Sequence, residues 1–185
     1  MKVSRTTLPE VLLIAPHINH DDRGFLVEQY HARRYASAGI ARQFVQDNLS
    51  FSRHGVLRGL HLQNPDAQAK LVAALAGEVF DVAVDVRRGS PSFGRWAAAV
   101  LSAENSLQLY VPEGFAHGFC VTSETALVFY KCSDFYSPPA ALSIRWDDPD
   151  LGIPWPVTQP MLSPADRDAP RLADIDRARL PAYAP

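Results

Sequence analysis

The sequence predicts a mainly β protein, a barrel or sandwich of antiparallel strands with a few short peripheral helices. Segments rich in Val, Leu, Phe and Tyr are short and separated by Gly, Pro, Asn, Asp or Ser, the mark of strands joined by turns. They are too numerous for one small open sheet, which points to a closed or two-layered architecture. One stretch is strictly period-two: Phe80, Val82, Val84 and Val86 fall on one face, and Asp81, Ala83 and Asp85 on the other. One face is expected to pack and the other to meet polar groups.

In chain order the expected strands are residues 11–15, 25–30, 44–48, 56–61, 71–76, 79–86, 96–101, 107–111, 117–121, 126–133 and 142–146, most of them flanked by turn-forming residues such as Gly24, Gly55, Gly77, Gly94 and Pro112. Two helices are predicted. One covers residues 31–38 and is stopped by Gly39; the other covers 164–167, with Ser163 placed to cap it and Pro164 at its first turn. The Pro-rich tail is expected to wrap the surface. Residues 1–185 read as one domain, with a barrel core over about 40–135 and a C-terminal segment that returns to it.

A formal net charge of −2, with acids and bases interspersed, points to no nucleic-acid or membrane partner. The longest apolar runs are too short to span a bilayer, and the N-terminus lacks a basic-then-apolar leader pattern, so a cytoplasmic location is expected. Cys120 and Cys132 lie inside apolar stretches and read as small buried thiols without functional meaning. His17 and His20, beside Asp21 and Asp22, read as a solvated loop.

Two clusters carry the chemistry. In Gln46-Asp47-Asn48 and in residues 55–63, polar side chains alternate with apolar ones along apparent strands. Arg58 and His61 have opposite parity, so they share a face only if a bulge intervenes at Gly59, where glycine commonly marks one. The second cluster, Pro112-Glu113-Gly114-Phe115-Ala116-His117, has the Pro-x-Gly-x-x-His arrangement of the second cupin motif, a tight turn presenting a histidine at a barrel mouth. A metal-binding cupin also needs a His-x-His pair, because a divalent ion wants at least three converging ligands. His61-Leu62-Gln63 stands there instead, so no metal site is predicted.

Over nearly its whole length the sequence resembles the dTDP-4-dehydrorhamnose 3,5-epimerases, a cupin-type jelly-roll family. The motifs that carry the resemblance include Asp22-Arg23-Gly24-Phe25 with Glu28, Gln46-Asp47-Asn48, residues 55–61, Lys70-Leu71-Val72, residues 77–85, residues 112–119, Trp146 with Asp148, and Trp155-Pro156. The resemblance implies a cofactor-independent isomerase of dTDP-L-rhamnose biosynthesis whose substrate is a 4-keto-6-deoxyhexose linked to dTDP. It implies His61 as base, Asp166 as its dyad partner, Tyr130 as acid and Lys70 at the enolate oxygen. Arg23, Glu28, Gln46, Asn48, Arg58, His117 and Tyr136 match the family's substrate-binding positions, with Tyr136 placed to stack near the thymine. It also implies a homodimer in which the strand bearing Arg23 and Glu28 crosses to the partner subunit.

The chain departs from the family pattern at Ala141, where relatives carry Glu, and at Ala165, where they often carry Lys. Both are binding positions, so the departures bear on nucleotide or sugar preference and leave proton transfer untouched. Related readings are an epimerase that inverts one centre only, a metal-dependent cupin enzyme, and a sugar-binding barrel without catalysis. Should Asp166 lie far from His61, Asp81 or Asp85 becomes the candidate partner.

Overall fold

The computed structural model describes residues 1–184. Two antiparallel sheets face each other as a cupin-type jelly roll. The larger runs in the order β1 (Lys2–Arg5), β2 (Leu12–Ala15), β10 (Gln108–Val111), β7 (Lys70–Ala76), β12 (Thr125–Cys132) and β5 (Gln46–Arg53). The smaller runs β13 (Ala141–Ser143), β6 (Leu57–Gln63), β11 (Phe115–Val121), β8 (Glu78–Asp85) and β9 (Trp96–Ser102). A separate hairpin of β3 (Ile18–Asp21) and β4 (Gly24–Val27) pairs with neither sheet.

Side-chain parity sets what each face meets. Val72 and Ala74 of β7, Leu109 and Val111 of β10 and Val128 of β12 close on Val79, Ala83, Phe115 and Phe119 of the smaller sheet. This core fills one end of the barrel, where burial of each such side chain contributes about 1.5–3 kcal/mol. The alternate residues of β8, namely Phe80, Val82, Val84 and Val86, face outward but are not wet. Leu142, Ile144, Leu151, Leu172, Ile175 and Leu180 of the C-terminal segment cover them. The polar parity of β8 turns inward, where Asp81 and Asp85 are fully buried and hydrogen-bonded.

The C-terminal segment is therefore an outer layer on the smaller sheet. Its short helix α2 (Pro164–Arg167) forms where expected: Ser163 accepts from the Asp166 amide, and Pro164 sits in the first turn. Helix α1 (Ala32–Ser37) buries Tyr35, whose hydroxyl donates to Gln108 Oε1 at 2.7 Å, and burial pushes this phenol up to about 12.

Two strands fall where the sequence led to no such expectation. β1 is short and polar, and β3 contains the His20 region read above as a solvated loop; it is exposed but paired. β5 starts and ends later than residues 44–48, running through Asn48, Ser50 and Ser52 to Arg53. The expected strand at 142–146 ends at Ser143, and that at 25–30 ends at Val27.

Gly59 carries the bulge. Phe119 of β11 pairs with Arg58, and His117 pairs with His61, so Gly59 and Leu60 together oppose Gly118. A Cβ on Gly118 would lie 2.9 Å from the Arg58 carbonyl oxygen, and one on Gly59 only 2.5 Å from the Gly118 Cα. Glycine on both strands lets the backbones approach this closely, and the extra residue turns Arg58 and His61 to the same side.

Candidate active site

His61, delivered inward by the bulge, donates from Nε2 to Asp166 Oδ1 at 2.5 Å across 105 residues of sequence. Asp166 is held in turn. Its Oδ2 accepts from the Ser163 hydroxyl at 2.8 Å, and the Gly59 amide adds a further donor. Burial alone would raise the Asp166 carboxyl, but the His61 bond and charge, Ser163 and Gly59 outweigh it and hold it below the ordinary carboxylate value. A carboxylate so held keeps the proton on Nε2 and leaves Nδ1 of His61 without a partner among the described residues, free to accept a proton.

The dyad lines a cavity of about 520 Å³ between the two sheets. Lys70 and Tyr130 line it from β7 and β12, opposite His61 on β6. Burial pulls the Lys70 ammonium below the ordinary lysine value, only partly offset by Cys132 and Asp81; no carboxylate pairs with it among the described residues. Burial and the neighbouring Cys132 push the Tyr130 phenol up, against the pull of Arg58, so it stays protonated. The cavity thus combines a base held by a carboxylate, a desolvated cation and a neutral phenol on facing walls. That set can remove a proton next to a carbonyl, stabilise the enolate and return a proton from the other side.

Of the expected binding residues, Gln46, Asn48 and Tyr136 line the same cavity. Arg58 is exposed beside it, donating from Nε to Ser52 Oγ at 3.1 Å. His117 is buried and does not line the cavity; its Nε2 is shared between both Asp81 oxygens at 3.0 Å. It pairs in register with His61, yet each imidazole is committed to its own carboxylate. Arg23 and Glu28 do not reach the cavity of their own chain. Arg23 is exposed and pairs with Asp21, and Glu28 pairs with Arg34 at 2.9 Å. Ala141 and Ala165 line the cavity with methyl groups.

Sequence reading missed three contributors. Gln63 shares the parity of His61 and pins the following loop, donating to the carbonyls of Asp66 and Phe135 and accepting from the Ser137 amide. Ser163 serves the dyad as well as the helix. Cys132, read above as functionally silent, lines the cavity; its parity with Tyr130 on one strand was the available signal.

Fold and site together define a cupin-type barrel built for acid–base chemistry on a small polar ligand. The family model for dTDP-4-dehydrorhamnose 3,5-epimerase matches residues 5–174, and the chain belongs to that family. It is 52% identical to the dTDP-4-dehydrorhamnose 3,5-epimerase of Pseudomonas aeruginosa over 95% of this chain and 98% of that one. It is 49% identical to that of Neisseria gonorrhoeae over 97% of this chain, which spans 55% of that longer relative. Among solved structures, the dTDP-6-deoxy-D-glucose-3,5-epimerase of Legionella pneumophila, in complex with dTDP-4-keto-L-rhamnose, superposes with a TM-score of 0.97 at 50% identity, covering 100% of this chain and 99% of that one.

Proposed function

We propose that this chain epimerises dTDP-4-dehydro-6-deoxy-D-glucose at C3 and C5 to give dTDP-4-dehydro-L-rhamnose, as named for its relatives. The observation that carries the reading is the His61–Asp166 dyad facing Tyr130 and Lys70 across one cavity. A C–H beside the ketone is only weakly acidic. His61 Nδ1 takes that proton while the C–H electron pair forms a C=C bond to C4 and the carbonyl π pair moves onto its oxygen, giving an enolate whose negative charge lies beside Lys70. Tyr130 then gives its phenolic proton to the same carbon from the opposite face, inverting it. Asp166 stabilises the imidazolium formed in between. Arg58, Gln46, Asn48 and Tyr136 serve the remainder of the sugar nucleotide; a guanidinium suits phosphate oxygens.

A homodimer completes the site in this reading. Leu49 and Phe51 on the outer face of β5, together with Phe25 and Leu26 of the β3–β4 hairpin, are each 60% or more exposed, a large apolar surface for a lone chain. Arg23, in the turn of that hairpin, and Glu28, just after it, are placed to serve a partner's cavity by exchanging their present partners Asp21 and Arg34.

A single-centre reading has support from relatives: the chain is 42% identical over 92% of its length to a dTDP-4-dehydrorhamnose 3-epimerase of Streptomyces niveus. The deciding experiment incubates the protein with dTDP-4-keto-6-deoxyglucose in deuterium oxide and follows the C3 and C5 proton signals by NMR. Loss of both, abolished by His61→Ala, supports the double epimerase. Loss at C3 alone assigns the single-centre activity, and retention of both overturns the substrate.

A further inference from the structure

The wall contributed by β5 contains a hydrogen-bond relay with only one possible direction. The backbone amide of Tyr136 can only donate, and it donates to Gln46 Oε1 at 2.9 Å. Gln46 must then present its nitrogen onward, and Nε2 donates to Asn48 Oδ1 at 3.1 Å. Asn48 in turn must present Nδ2, which donates to Cys132 Sγ at 3.5 Å. Sulfur is the terminus, and Cys132 is itself 1% exposed. Each carboxamide has its oxygen occupied and retains one N–H. Next to the Lys70 ammonium and the protonated Tyr130, this makes a wall of donors, matched to acceptor oxygens on a ligand.

We propose that Cys132 is a positioning residue for the epimerisation: as terminal acceptor it locks the Asn48 carboxamide with its second N–H aimed into the cavity, and so couples the loop at Tyr136 to substrate binding deeper in the barrel. The proposal rests on the functional reading above but is separable from it. Removing the sulfur frees Asn48 to rotate and leaves the His61–Asp166 dyad in place, so the loss falls mainly on binding.

The test compares Cys132→Ala, which removes the acceptor, with Cys132→Ser, which keeps one. Cys132→Ala is expected to raise KM about three- to tenfold, the worth of one hydrogen bond, with kcat within about twofold, and Cys132→Ser to recover most of that loss. The Asn48 side-chain amide proton bonded to Cys132, followed by ¹⁵N NMR without substrate, is expected to be protected from exchange in the unaltered protein and in Cys132→Ser, and unprotected in Cys132→Ala. Equal KM in the unaltered protein and Cys132→Ala, equal damage in both variants, or unchanged Asn48 exchange would each overturn the proposal. The exchange measurement needs no turnover, so failure of the assigned reaction is told apart from failure of the relay.

Discussion

Replacing Asp166 by Asn preserves volume and removes one charge, and the consequence for His61 follows from the contacts. The asparagine oxygen still accepts from Ser163, whose hydroxyl bonds the carboxylate oxygen turned away from His61. Its nitrogen is then left facing His61 Nε2, where the native contact is 2.5 Å. An amide nitrogen can only donate, so Nε2 must become the acceptor and the imidazole proton must move to Nδ1. The nitrogen that should receive the substrate proton is thereby blocked, and an imidazolium formed despite this has no neighbouring anion. Loss of a positioned base costs about 10²- to 10⁴-fold in kcat, or roughly 3–5.5 kcal/mol of barrier, with KM little changed. Stopped-time NMR of deuterium incorporation at C3 and C5 measures it, with thermal unfolding as a control for folding. Activity within about tenfold of the unaltered protein would refute the tautomer argument and leave Asp166 a structural residue.

Gly118→Ala places a methyl 2.9 Å from the Arg58 carbonyl oxygen with backbone on both sides; it is expected to lower stability by about 1–3 kcal/mol and to reduce activity more than tenfold by displacing His61, read by denaturant melts and the exchange assay. The alkaline limb of kcat is expected below the ordinary lysine value of about 10.4 and belongs to Lys70, because Tyr130 is shifted upward. Lys70→Arg, always charged, should retain measurable turnover with that limb moved above about pH 10; an unmoved limb assigns it elsewhere. Asp85 and Asp166 both lie below the ordinary carboxylate value, so the unfolded chain binds protons first and stability falls as pH drops below about 4. Tm should be level from about pH 7 to 5 and decline beneath that; a Tm level down to pH 3 contradicts the assignment.

The strands that sequence reading located are those whose apolar parity faces a core, as in β8, β11 and β12. β5 was misplaced because it inverts the usual rule: Asn48, Ser50 and Ser52 share the parity that faces into the barrel, while Leu49 and Phe51 are exposed. A reading that equates polar with outside truncates such a strand. β1 and β3 are four-residue, largely exposed strands held by pairing alone, which leaves no pattern to detect. In the site, the Gly59 bulge was legible because Arg58 and His61 demanded it, and the structure places it there. The His61–Asp166 contact was not: no local rule links residues 105 apart, and only family resemblance paired them. The turn motif located His117, but not its partner: Asp81, buried on the inward parity of β8, holds its ring.

All thirteen strands among the described residues precede Asp166 in the chain. A growing polypeptide leaves the ribosome N-terminus first, so the strands can emerge and begin to pair while His61 still has an ordinary, unassisted imidazole. The outer layer that follows the strands brings both the cover for β8 and the carboxylate that holds His61. A measure of β content therefore reports the strands alone, whereas any assay that depends on the His61–Asp166 contact also requires this outer layer to have docked.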